Sequence, residues 1–215
     1  VSAVARNSKT YEHIKPEEVG NKRRIVVSEL SGKSNVLEKA KDFNVKFKND
    51  KELTNILNLI KQKENDGFQY EGADASLELL IKKNLKNYKK FFELDGFRVI
   101  IEKDVDGLMK SEATVKINVN GIEEHTASKG DGPVNALDNA LRKALEKFYP
   151  LLKNVNLTDF KVRVIGSGVG TNSKVRVLIE SRDEKSEWLT IGTSENIIEA
   201  SYQALVDSIE YKILK

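Results

Sequence analysis

Two stretches in the C-terminal half of the chain repeat one another, and that repeat limits the folds open to it. At an offset of 64 positions, Thr126, Val134, Ala136, Ala140, Leu141 and Leu145 fall on Thr190, Ile198, Ala200, Ala204, Leu205 and Ile209. Upstream, the alternating run Ala113, Val115, Ile117, Val119 aligns with Val175, Val177, Ile179, Ser181 at an offset of 62, a difference ascribed to a longer turn at Arg182–Ser186. Phe97-Arg-Val-Ile-Ile parallels Phe160-Lys-Val-Arg-Val at an offset of 63. Apolar positions alternate with period two in the strand segments and recur at helical spacing in the segment that closes each copy. The reading is α+β: a duplicated βββα domain over 91–215, with units at about 94–150 and 157–214 and internal pseudo-two-fold symmetry.

The helix of the first copy begins in His125–Leu145, HTASKGDGPVNALDNALRKAL. Gly130, Asp131 and Gly132 are expected to make a tight turn at positive φ, which glycine adopts without a Cβ clash. Pro133 suits the first helical position, where a missing N–H costs nothing. Leu137, Ala140, Leu141, Ala144, Leu145 and Phe148 form its apolar stripe. Unpaired N–H groups at a helix start favour a carboxylate. The two helix starts, near Gly132 and near Ser194, are equivalent points of a pseudo-symmetric seam. A small zwitterion fits there, with helix N–H groups for its carboxylate and aliphatic walls for its side chain. A purely structural duplication, in which the glycines only make turns, accounts for the same residues.

Ahead of the repeat, residues 1–90 read as a small, mostly helical subdomain. Val1–Thr10 carries no core of its own, and Arg24-Ile-Val-Val-Ser is a short strand candidate. Ser34 or Asn35 is expected to cap a helix through about Asp42. Asp50–Lys63 is a helix with Leu53, Ile56, Leu57 and Ile60 on one side, ended by Asp66-Gly67. Gly72-Ala-Asp-Ala-Ser opens another, with Leu77, Leu80, Ile81 and Leu85 as its face. No Pro/Ser-rich linker separates the parts, so they are expected to pack together.

Composition excludes several functions. Lys+Arg 36 against Asp+Glu 33 leaves +3, too weak a field for nucleic acid or a membrane surface. Cys is 0, which removes disulfides and thiolate chemistry and suits a reducing compartment. No apolar run has the length of a membrane span, and no signal-peptide pattern opens the chain. Its start at Val1, with Met109 the only methionine, reads as a piece of something longer. His13 and His125 have no metal-ligand spacing, so no metal site is expected in this chain. Glu17/Glu18 and Glu123/Glu124 are adjacent carboxylates that point apart, and Gly166-Ser-Gly-Val-Gly170 precedes a strand, so it reads as a hairpin loop. The chain alone does not read as a self-sufficient enzyme.

Tyr11-Glu-His-Ile-Lys-Pro-Glu-Glu-Val-Gly20, Val27-Ser-Glu-Leu-Ser-Gly-Lys-Ser-Asn-Val36 and Gly67-Phe-Gln-Tyr-Glu-Gly-Ala-Asp-Ala-Ser76 resemble the post-barrel region of citramalate synthases. Gly130-Asp-Gly-Pro-Val134 and Ser194-Glu-Asn-Ile-Ile-Glu-Ala200 resemble the regulatory domain shared with 2-isopropylmalate synthases. The resemblance implies a cytoplasmic acyltransferase that condenses acetyl-CoA with pyruvate in an N-terminal (β/α)8 barrel holding a divalent metal, neither of which this chain would contain. It implies a homodimer in which Tyr11 reaches the partner's barrel, a role that a loop aromatic anchoring its own segment would equally explain. It also implies an end-product site for isoleucine that would include Gly130, Asp131, Gly132, Pro133, Ala136 and Ser194. The same region of a 2-isopropylmalate synthase, answering to leucine, and a stand-alone amino-acid-binding dimerisation module are the competing readings.

Overall fold

The computed structural model describes residues 14, 16–20, 32–86, 88–165 and 173–215. Tyr11, His13, the strand candidate at Arg24 and the loop Gly166–Gly170 lie outside the described residues. The repeat folds as two three-stranded antiparallel sheets, each followed by a helix. Strands β1 (Glu93–Lys103), β2 (Met109–Val119) and β3 (Ile122–Gly130) precede helix α4 (Pro133–Leu145). Strands β4 (Asn156–Ile165), β5 (Lys174–Arg182) and β6 (Glu187–Ser194) precede helix α5 (Ile197–Leu214). The central strand of each sheet is the second, in the orders β1-β2-β3 and β4-β5-β6.

Each sheet buries one face against helix, as period-two strands with one apolar side must. Ala113, Val115 and Ile117 of β2 and Val177 and Ile179 of β5 join Leu137, Leu141, Ala204 and Leu205 in one core shared by both units. The ring of Phe97 stacks on Tyr202 of α5 at 5.0 Å, so a strand of the first unit meets the helix of the second. The α4 residue Arg142 holds the connection between units. It pairs with Asp138 at 2.9 Å and donates to the carbonyls of Leu152 and Val155 at 3.2 and 2.9 Å, in the short 3-10 turn Pro150–Asn154 and just past it.

The offset between copies is corrected by the strand pairing. Val115 lies opposite Thr126 and Ile179 opposite Thr190, so Val115 matches Ile179 at an offset of 64, not 62. Both threonines donate to the facing helix at 2.8 Å, Thr126 to the Ala140 carbonyl and Thr190 to that of Ala204. No extra turn residues are needed: Asp183 N donates to Ser186 O, where Val119 and Ile122 pair in the first copy. The Phe97/Phe160 offset of 63 holds, and the register breaks at Leu94/Gly96 in one copy and Leu157/Asp159 in the other. Ser181 therefore occupies the place of Ile117. Its hydroxyl is satisfied in the core by a chain in which Trp188 Nε1 donates to Ser208 Oγ and Ser208 Oγ to Ser181 Oγ.

Helices α1 (Lys33–Asp42), α2 (Asp50–Asn65) and α3 (Asp74–Lys83) form the N-terminal layer. Asn49 caps α2, accepting from Glu52 N at 2.9 Å, and Glu52 accepts from Lys48 N at 2.7 Å, which satisfies two donors at the helix entry. Helix α1 departs from expectation. Gly32 is its N-cap, with no side chain accepting there, and Ser34 and Asn35 lie inside the first turn. The apolar faces of α1–α3 close over Ile191, with Leu178 and Leu189 packed alongside, so the outer face of the second sheet is also covered. The first sheet instead presents Glu112, Lys116, Glu123 and Lys129 outward and is solvated there. Among the described residues no helix is long and apolar enough to cross a membrane.

Candidate functional site at the helix starts

The two strand–helix junctions singled out by the repeat are chemically unlike. At the first, β3 ends on Gly130 and α4 begins on Pro133 with Gly132 as N-cap. Gly132 is extended (φ −155°), and neither it nor Gly130 takes positive φ, so the expected glycine turn is corrected. Gly130 is needed for closeness. A Cβ there would lie 2.3 Å from Ala136 N and 2.7 Å from its Cα. At Gly132 a Cβ would have nothing within 4 Å. Asn135 folds back to accept from Asp131 N at 3.1 Å, and Asn139 donates to Lys129 O at 3.1 Å, which fixes the chain entering the helix.

No side chain caps α4, and no acidic residue stands in its first turn. At the equivalent point of the second copy, 64 positions on, Asn196 replaces Gly132. Its side-chain oxygen accepts from Ile198 N at 2.8 Å and Glu199 N at 3.4 Å, while Ser194 Oγ accepts from Asn196 N at 3.1 Å. Glu199 adds a negative charge in that first turn. The start of α5 is thus capped by its own chain, whereas no side chain caps the start of α4.

Gly130, Asp131, Gly132, Pro133 and Ala136 are brought together; Ser194 belongs to the other junction, and among the described residues no hydrogen bond joins the two. Ala136 is wholly buried behind the helix start, so its part is packing. Glu123 and Glu124 do point apart, the first pairing with Lys116 at 2.8 Å and the second with Lys147. His125 lies on the outer face of the first sheet, in a shallow hollow with Arg98, Thr114 and Lys116. Among the described residues no group of three acidic or histidine side chains is arranged to hold a metal ion.

A second polar constellation was not visible from spacing. Ser76 and Lys83 of α3 meet Asp207 and Glu210 of α5, well over a hundred residues away. Asp207 accepts from Ser76 Oγ and from Lys83 Nζ, both at 2.8 Å, and Lys83 also contacts Glu210. Ser76 Oγ in turn accepts from the backbone N–H of Ile191 on the edge strand β6, at 3.0 Å. Burial works against the Lys83 charge, but Asp207 and Glu210 outweigh it and hold its pKa above the ordinary lysine value. Burial raises the Glu210 carboxyl, an effect Lys83 opposes. The only local signal was polar residues interrupting apolar stripes on two helices.

The described residues thus form a duplicated βββα domain with its two helices in one core and a helical layer on the second sheet. A family model described as the LeuA allosteric (dimerisation) domain matches residues 71–213, and the chain belongs to that family. A second model, homocitrate synthase post-HMGL domain-like, matches residues 1–67. The chain is 58% identical over 217 residues to the (R)-citramalate synthase of Geobacter sulfurreducens, which covers all of this chain and 41% of that protein. It is 55% identical to the (R)-citramalate synthase of Aquifex aeolicus, again over all of this chain and 41% of the relative. With that of Synechocystis it shares 47%, over 98% of this chain and 40% of the relative. The chain thus spans about two-fifths of the length of the curated relatives it matches.

Proposed function

We propose that this chain is the accessory and regulatory region of an (R)-citramalate synthase, dimerising the enzyme and binding isoleucine as end-product inhibitor. The observation that carries the reading is the 58% identity extending over the whole chain, helical layer and repeat together. The condensation of acetyl-CoA with pyruvate, and the divalent metal that assists it, belong to a catalytic barrel elsewhere in the whole protein. The part of this chain in the chemistry is Tyr11, offered across the dimer to the partner's barrel.

The effector carboxylate is assigned to the open start of α4, where the N–H groups beside Gly132 have no side-chain cap. Dimerisation has support in an unfinished surface. Phe160, Val162 and Val164 pair with Ile179, Val177 and Val175, so they lie on the core-facing side of the second sheet. They are nevertheless 36, 38 and 68% exposed, and Ile101 and Met109 of the first sheet are exposed on its corresponding side. A second copy of the chain would cover these strands.

Isoleucine then acts through a coupling free energy between effector site and active site, carried by the helical layer that packs on the second sheet. Gly132→Asp in the full-length enzyme should leave synthase activity and weaken inhibition by isoleucine; inhibition left unchanged overturns the reading. Inhibition by leucine in place of isoleucine would move the chain to the 2-isopropylmalate branch.

A further inference from the structure

One corner on the outer side of the second sheet gathers positive charge with nothing to balance it. Arg163 of β4 lies directly opposite Arg176 of β5, and Lys174 shares their face two residues along β5. All three point away from the core, since Val162, Val164, Val175 and Val177 take the other side of these strands. Like charges directly opposed across a sheet are destabilising, with Cβ atoms only about 4.5–5.5 Å apart. Lys174 and Arg176 meet neutral acceptors. Lys174 Nζ donates to the Asp66 carbonyl at 3.4 Å, Arg176 Nε to the Gly67 carbonyl at 2.7 Å, and Arg176 Nη1 to Gln69 Oε1 at 2.6 Å. Among the described residues no acceptor meets Arg163 and no carboxylate forms an ion pair with any of the three. Burial and the facing Arg163 pull the Arg176 guanidinium below its ordinary pKa, and Glu64 opposes them. The equivalent row of the first sheet has no such conflict, because Glu112 there stands between Ile100 and Lys129.

We infer that this corner binds a phosphate group, bridged between the guanidinium groups of Arg163 and Arg176 with the Lys174 ammonium beside it. A doubly charged oxyanion turns the repulsion into two attractions, and planar guanidinium forks match phosphate oxygens in bidentate pairs. The donors are in place. Arg176 directs Nε and one terminal nitrogen at the loop, which leaves the rest of its fork, and the whole of the Arg163 fork, for a ligand. Thr193 comes next to Arg176 in the same cross-strand row, and its buried hydroxyl has no hydrogen-bond partner among the described residues. The segment 166–172, which joins β4 to β5, holds no acidic residue that would compete.

The location gives the site a consequence. Gly67 is the last residue matching the post-HMGL model, and the match to the dimerisation model begins at residue 71. Arg176 grips the chain between them, so a phosphate that steadies Arg176 steadies that junction. Arg163 stays accessible when a second copy covers Val162 and Val164, because successive side chains of a strand face opposite ways. The site is separate from the α4 start and does not depend on the effector reading of that start.

The test is calorimetric titration of the chain with inorganic phosphate and with coenzyme A, at an ionic strength held constant with chloride. At least one should bind saturably, and Arg163→Gln should weaken that binding by roughly tenfold or more. Tighter binding of coenzyme A assigns the site to a phosphate ester; equal or weaker binding assigns it to free phosphate. Arg163 is exposed, so its replacement spares the fold. In chloride alone Arg163→Gln should melt no lower than the native chain, since the opposed charge is gone. With saturating ligand the native chain should melt higher. Arg98→Gln, the same charge change on the outer face of the first sheet, should leave binding unaltered and so excludes general screening. The inference is overturned if neither compound binds at millimolar concentration, if Arg163→Gln binds as tightly as the native chain, if the order of melting does not reverse, or if Arg98→Gln weakens binding as much.

Discussion

Gly130 and Gly132 sit two residues apart in the same motif, and their substitution should have opposite consequences. Gly130→Ala drives a Cβ to 2.3 Å from Ala136 N and 2.7 Å from Ala136 Cα. Both atoms are backbone in the first turn of α4, so no side chain can rotate away and the helix itself must shift. Overpacking of this kind costs about 1–3 kcal/mol. Against it stands a gain of roughly 0.4–1 kcal/mol from the lower entropy of the unfolded chain, since φ at Gly130 is open to alanine. A net loss of about 1–2 kcal/mol follows, or about 2–8 °C of melting temperature for a chain of this size. Gly132→Asp meets nothing within 4 Å and supplies a preferred N-cap, so its stability should change by only a few tenths of a kcal/mol, upward. Its carboxylate would also occupy the open helix start and weaken effector binding. The assay is thermal unfolding read by fluorescence of Trp188, the one tryptophan, 6% exposed against α5. If Gly130→Ala melts with the unaltered chain, or Gly132→Asp falls as far, the close-approach account is refuted.

Arg142→Met should cost about 3–5 kcal/mol in denaturant unfolding, because it leaves Asp138 buried without its cation and strips donors from the Leu152 and Val155 carbonyls. Val164→Glu, at a 68% exposed position on the uncovered strand face, should halve the mass seen by sedimentation while the monomer's unfolding changes by no more than about 0.5 kcal/mol. Asp183 closes the β5–β6 turn, where Lys212 and the N–H groups of Lys185 and Ser186 hold its carboxyl below the usual range. A depressed folded pKa stabilises above the unfolded value and loses that contribution as pH falls through the folded one. The stability gap between the native chain and Asp183→Asn should thus be full above about pH 4 and close steadily in more acidic buffer.

The duplication, its element order and most of its core were legible because strand and helix periods write different apolar patterns. The two-residue slip in aligning β2 with β5 has a specific cause. Alternation has period two, so moving a strand by two residues leaves every side chain on its proper face. Only cross-strand partners, such as Val115 with Thr126 and Ile179 with Thr190, distinguish the registers, and those are non-local. The covering of the second sheet on both faces leaves a trace in the sequence: Leu178, Leu189 and Ile191 add a second apolar side where β2 and β3 have Thr114, His125 and Ala127. At the candidate site the motif was visible, but the difference between its copies was not, since it depends on Asn196 closing one helix start and Gly132 leaving the other open. The seam of Ser76, Lys83, Asp207 and Glu210 could not be read at all, being assembled across well over a hundred residues by tertiary packing.

The central claim, that this region is an amino-acid-responsive regulatory module, is tested most directly by calorimetric titration of the 215-residue chain with isoleucine, then leucine and valine. Saturable heat with isoleucine, weakened in Gly132→Asp, is the predicted result. A chain that gives no binding heat with any of the three contradicts the account.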